Sequence, residues 1–175
     1  MSKYFYVFGN PRSTKIFLFE KFYIFYKFTI KQLLQPIKFY SICSVGFPSK
    51  SCLEYLRSFR NKQIFYFGDL DPESLYYYLT FVFGNRNFTK SRREFNIKFA
   101  GLTVKDYKKF LIRENVLIKI NPTEKRILKL INKIKLKNIT EEIQFLNKGY
   151  KVEIEAFSKI GFEKYFKLKI KNLLK

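Results

Sequence analysis

The sequence predicts an α/β fold: a mostly parallel sheet of four or five strands flanked by helices, with a helical C-terminal portion. Three observations carry this reading. Short apolar runs alternate along the chain with segments of helical period, the pattern of strand–helix–strand units. The run Ile64-Phe65-Tyr66-Phe67 has no polar interruption, as suits a strand covered on both faces. It leads at once into Gly68-Asp69-Leu70-Asp71-Pro72, and then into a helix with Leu75, Leu79 and Phe83 on one face. Pro72 suits the first helical position, where its missing N–H costs nothing. Gly84-Asn85 supplies the stop.

Taken in order, Tyr4 to Phe8 reads as the first strand, ended by Gly9-Asn10-Pro11. A helix is expected from Ser13, a plausible N-cap, through Ile16, Phe19 and Phe22-Tyr23 toward Leu33-Leu34. Phe and Tyr crowd its middle so densely that periodicity does not separate helix from strand there. Ile37 to Val45 reads as a second strand. Gly46-Phe47-Pro48-Ser49 then turns into a helix with Cys52, Leu53, Leu56 and Phe59 on its apolar face. After the strand and helix around GDLDP comes a polar, basic loop, Asn85 to Arg93. Phe95 to Phe99 alternates as a fourth strand, and Thr103 to Asp106 has capping-box spacing at the head of a short helix. Val116 to Ile120 is a further apolar run, closed by Asn121-Pro122. Ile127, Leu130, Ile131 and Ile134 then form a helical stripe. Thr140 is expected to cap a helix ending at Gly149, and Val152 to Ser158 and Phe162 to Leu174 complete the chain. No repeat, linker or composition shift divides it, so 1–175 reads as a single domain, with the sheet core over about 1–120 and C-terminal helices over about 121–175.

Composition narrows the function. The chain carries 35 Lys and Arg against 14 Asp and Glu, a formal charge of +21. Such a field implies an anionic partner, with nucleic acid ahead of a membrane surface. Richness in Lys, Asn, Ile, Phe and Tyr is also what an AT-rich genome would encode. The absence of His excludes Ser-His-Asp and Cys-His nucleophile pairs and any His-containing zinc site. Cys43 and Cys52, with no CxxC, read as small core residues in a reducing compartment. No signal peptide is recognisable, and Glu20 and Lys21 interrupt the apolar segment 16–26 well short of a spanning length. A soluble, cytoplasmic protein without a membrane partner is expected.

Asp69 and Asp71 are the leading candidates for chemistry. In an open α/β sheet, ligands gather at the carboxyl ends of strands, which is where these two stand. Two carboxylates one residue apart converge on a single hard cation if the backbone turns there, and oxygen ligands of this kind suit Mg²⁺ shared with a phosphate. The competing reading is a solvated Asp-x-Asp-Pro turn, since Asp and Pro favour turns for local reasons.

These residues resemble a known family. GDLDPESL at Gly68 to Leu75, preceded by SVGFPSKSCLEYL at Ser44 to Leu56, resembles the Toprim domain. The branch it is most similar to holds the A subunit of topoisomerase VI and the C-terminal domain of the Wadjet anti-plasmid component JetD. IKFAGLTVKDYKKF at Ile97 to Phe110 and KGYKVEIEAFSKIGFEKYFKLKI at Lys148 to Ile170 are also similar to that group, the second through its K-x-E-x-(Q/E)-A-L element. The resemblance implies DNA-backbone cleavage dependent on Mg²⁺ or Mn²⁺, with Asp69 and Asp71 as catalytic metal ligands. Glu153 and Glu155 match family glutamates and are candidate additional acids. Arg86, Lys90, Arg92 and Arg93 would track neighbouring phosphates, or belong to a solvated surface loop. The partners implied are DNA, the protein components of a defence or topoisomerase-like complex, and a second copy of the chain.

Two departures from the family accompany the match. Toprim domains carry a glutamate at the end of the first strand, as metal ligand or general acid/base. With Tyr4 to Phe8 as that strand, Gly9 stands in its place, and Glu20 falls on the following helix as a solvated charge. No winged-helix segment with a catalytic tyrosine is recognisable, and the 13 tyrosines are better explained by packing. Three readings stay open. The first is a protein that cleaves DNA with the help of a metal ion. The second is a catalytically degenerate Toprim module that binds DNA or a partner without cutting. The third is a basic nucleic-acid-binding protein whose GDLDP is coincidental.

Overall fold

The computed structural model describes residues 5–29, 39–88, 93–134, 136–159 and 161–174. They form two compact units, one of residues 1–67 and 77–99, the other of 68–76 and 100–175.

The first unit is built on a five-stranded sheet of order β1-β3-β2-β4-β5, formed by β1 (Tyr6–Gly9), β2 (Lys15–Phe19), β3 (Tyr40–Cys43), β4 (Gln63–Phe67) and β5 (Ile97–Phe99). β3, β2, β4 and β5 run parallel, and β1 joins the edge antiparallel to β3. The expected mostly parallel α/β sheet is present. The N-terminal assignment needs correcting, however. Lys15–Phe19, expected from the sequence to be helical, is the middle strand of the sheet, helix α1 is seen at Phe22–Thr29, and Leu33-Leu34 lie outside the described residues. Ile16, Phe17, Leu18 and Phe19 are fully buried, so this strand is apolar on both faces and shows no alternation to betray it. Phe19 stacks on Phe67 across β2 and β4 with ring centroids 5.0 Å apart. Many of the phenylalanines are thus core residues, each burying a large ring against its neighbours.

Helix α2 (Lys50–Leu56) is capped by Ser49, whose hydroxyl accepts from the Cys52 amide, and Cys52, Leu53, Leu56 and Phe59 are buried as expected. Cys43 and Cys52 are free thiols in this core. Burial pushes the Cys43 thiol up to about 11 and that of Cys52 to about 12, which keeps both protonated and inert. Helix α3 (Pro72–Phe83) begins in the second unit and ends in the first.

In the second unit, Thr103 and Asp106 form the expected capping box of α4 (Val104–Asp106), which continues as a π-helical turn over Tyr107–Leu111. A short antiparallel pair, β6 (Ile118–Lys119) and β7 (Tyr150–Lys151), accompanies α5 (Pro122–Ile131), α6 (Thr140–Leu146) and α7 (Phe162–Leu174). Two details differ from the sequence reading. α5 buries Glu124, Leu128 and Ile131 on one face, whereas Leu130 is 48% exposed. Thr140 lies in the first turn of α6 and donates to the Leu136 carbonyl rather than capping. Among the described residues, no helix is long and apolar enough to cross a membrane.

Candidate functional site

Glu20 follows β2 directly. Its amide donates to the carbonyl of Phe67, the last residue of β4, at 3.1 Å, and its carbonyl accepts from Gly46 at 2.8 Å. The side chain is 7% exposed, and Oε2 accepts from the Tyr66 hydroxyl at 2.8 Å. Glu20 is therefore not a solvated charge on a helix face. It is a buried carboxylate fixed at the carboxyl end of the parallel strands, the place where ligands gather in this class of sheet. Val45 and Gly46, both with left-handed backbone, turn the neighbouring chain so that the Gly46 amide reaches Glu20.

In the second unit, Gly68 to Tyr76 carries both aspartates. Leu70 exchanges two backbone hydrogen bonds with Val152, at 3.0 and 3.1 Å. Asp69 is 2% exposed, and its Oδ1 accepts from the Ile154 amide at 2.9 Å. Asp71 is 7% exposed. Its Oδ1 accepts from the Ser74 amide at 2.6 Å and its carbonyl from the Leu75 amide, so it caps α3 with Pro72 in the first helical position. Neither aspartate faces solvent, contrary to the solvated-turn reading. Gly101 packs so closely against Gly68 that a Cβ would come 2.2 Å from the Gly68 oxygen. The Leu102 amide donates to that same oxygen at 2.9 Å.

Two further residues of the second unit, neither named as a site candidate from the sequence, are Lys151 and Glu124. Lys151 Nζ lies 2.6 Å from Glu124 Oε1, with the two side chains 15% and 3% exposed, and 3.9 Å from Glu153. Burial works to lower the Lys151 pKa, but the Glu124 carboxylate, with Asp71 and Glu153 behind it, holds it above its usual value. Glu124 also accepts from the Asn121 amide in the capping box of α5. The Asn121-Pro122-x-Glu124 spacing could have marked Glu124 as a cap, but nothing local pairs it with Lys151.

The remaining candidates are more dispersed. The Glu153 side chain is 43% exposed, and Glu155 is half-buried in the turn Ile154–Lys159. Arg86 and Arg93 are exposed in the first unit, and the Arg86 guanidinium lies 4.0 Å from the centre of the Phe47 ring. Lys90 and Arg92 lie outside the described residues.

Residues 15–172 match the family model for the Toprim domain shared by the A subunit of topoisomerase 6 and Spo11. The chain belongs to this Toprim family. No individual curated protein matches it significantly. The match begins at β2 and leaves out β1. Gly9 ends the antiparallel edge strand β1, with φ +94° and the Phe39 carbonyl 2.4 Å from where a Cβ would sit. The residue that follows the first matched strand is Glu20.

The donor set agrees with a hard divalent ion. Mg²⁺ is commonly held by one or two carboxylates, with water and substrate phosphate completing the shell. Asp69 and Asp71 offer two carboxylates in one turn, each oriented by a backbone amide at its Oδ1. Among the described residues, no three His, Cys, Asp or Glu side chains form a closed metal cage.

Proposed function

We propose that this Toprim domain takes part in Mg²⁺- or Mn²⁺-dependent breakage or rejoining of the DNA backbone, as the cytoplasmic subunit of a topoisomerase-like or JetD-like anti-plasmid complex. The observation that carries the reading is the aspartate pair set in the turn directly after β4. Asp69 and Asp71 would hold the cation, each oriented by the backbone amide it accepts from. A divalent ion bound there would offset negative charge on the phosphate and leaving oxygen as the bond breaks. Glu20, its carboxylate oriented by Tyr66 within the first unit, is the candidate for the metal-ligand or proton-transfer role that the family resemblance gives to the first-strand glutamate. Arg86 and Arg93 supply positive charge for neighbouring phosphates.

The reading as a degenerate module takes Gly9 as the replaced glutamate, and the position of Glu20 directly after β2 weighs against it. What still favours binding without cutting is that both aspartates already serve the fold, one as the Ile154 acceptor and one as a helix cap. Plasmid nicking by purified protein with Mg²⁺ or Mn²⁺ decides between the two. Nicking by wild type that is lost in Asp69→Asn/Asp71→Asn and reduced about 10²- to 10⁴-fold in Glu20→Gln supports cleavage. Tight DNA binding with no nicking by wild type supports the non-cleaving module. Undiminished nicking by the double variant would sink the metal assignment.

A further inference from the structure

Helix α1 is aromatic on its outer face as well as its inner one. Phe25 and Phe28 are buried with Ile24, yet Phe22, Tyr23 and Tyr26 are 43–46% exposed. The outer face of a surface helix is ordinarily polar, and a contiguous exposed patch of this kind marks an interaction site. The patch extends onto β1. Tyr6 lies 4.8 Å from Phe22 between ring centres, Phe22 lies 6.3 Å from Tyr26, and Phe8 shares the Tyr6 side of the strand. Tyr6 and Phe8 are themselves about half exposed. Lys27 Nζ sits 4.6 Å from the centre of the Tyr23 ring, placing a cation within the aromatic face.

Charge selects the occupant. The unit carrying this patch has 16 Lys and Arg against 3 Asp and Glu, a formal charge of +13. All three acids are engaged elsewhere: Glu20 is buried against Tyr66, Glu54 faces Lys50, and Glu94 faces Arg57. Pairing two copies through the β1 edge would bring two such charges together, whereas a polyanion would be drawn in. Exposed rings interleaved with cations are what single strands use, because every base has a face to stack and every linkage a phosphate.

We propose that the outer face of α1 together with β1 is a stacking platform for single-stranded nucleic acid. It is independent of the metal reading, since neither aspartate belongs to it.

The test is fluorescence anisotropy in EDTA, with an end-labelled 20-nucleotide oligo-dT and a duplex of equal length. Wild type is compared with Tyr23→Leu/Tyr26→Leu and with Tyr23→Phe/Tyr26→Phe. The Leu pair keeps apolar bulk but removes both rings, so single-strand affinity should fall roughly 30-fold or more, given the usual worth of each stacked base. The Phe pair should bind within about twofold of wild type, and the duplex should be bound alike by all three. Equal loss on single strand and duplex, or no loss on either, overturns the platform. So does a Leu pair that changes only sedimentation or only binding to phosphatidylserine vesicles, which would assign the patch to self-association or to a membrane surface. Matching far-ultraviolet circular dichroism of the three proteins excludes misfolding as the cause of any loss.

Discussion

Asp69 accepts a hydrogen bond from the Ile154 amide, 2.9 Å away and 85 residues later in the chain. That bond gives the buried aspartate a structural duty beside any catalytic one, and the two can be separated. Asp69→Asn keeps an oxygen acceptor and should retain the fold. Asp69→Ala leaves the Ile154 amide unsatisfied and should cost about 1–3 kcal/mol. Both should lose Mn²⁺ binding in isothermal titration. Wild-type Mn²⁺ affinity in Asp69→Asn would show that the carboxylate does not hold the ion.

Gly101 admits no side chain. A Cβ there would lie 2.2 Å from the Gly68 oxygen and 2.6 Å from its nitrogen, both backbone atoms with little room to give. Gly101→Ala should therefore destabilise the protein by about 1–3 kcal/mol. It should also weaken Mn²⁺ binding, because Gly68 leads directly into Asp69. Urea unfolding and titration of the same sample check both, and an unchanged unfolding midpoint would refute the close approach.

Glu142 is buried, with Oε1 accepting from the Val104 amide at 3.3 Å, and burial raises its pKa. A carboxyl whose folded pKa lies above its unfolded value binds its proton more tightly when folded. Its contribution to stability is complete below about pH 4.3 and is lost as pH rises through the folded pKa. Glu142→Gln keeps the acceptor without the charge. It should melt above wild type at pH 7 and level with it near pH 4. A variant that melts lower at pH 7 would show that the ionised form is favourable after all.

The Lys151–Glu124 pair works in the opposite pH range. The raised Lys151 pKa means that its contribution persists up to the unfolded value of about 10.4 and fails only as pH rises beyond the folded one. Lys151→Met leaves a carboxylate that is 3% exposed without its ion partner, at a cost of about 3–5 kcal/mol, whereas Lys151→Met/Glu124→Gln should recover most of it. Urea unfolding at pH 7 and pH 11 reads both effects. Equal stability of the single and double variants would mean that the pair is not coupled.

What the sequence determined by itself is local. Gln63 to Phe83 was legible as strand, turn and helix because an uninterrupted apolar run, an Asp-x-Asp-Pro turn and a four-residue repeat each state their structure within a few residues. The capping box at Thr103 and the mostly parallel sheet followed from the same kind of signal. The tertiary structure decided the rest. Lys15–Phe19 is a strand because β3 and β4 flank it on both sides, and its own pattern of five residues suits a helix equally well. That single assignment puts Glu20 directly after a parallel strand, where the sequence alone had placed it on a helix face. The burial of Asp69 depends on Ile154 and the pairing of Glu124 on Lys151, 85 and 27 residues distant. A charged residue in a polar turn looks solvated until such a remote partner is known, because only chain closure supplies the hydrogen bonds that permit its burial.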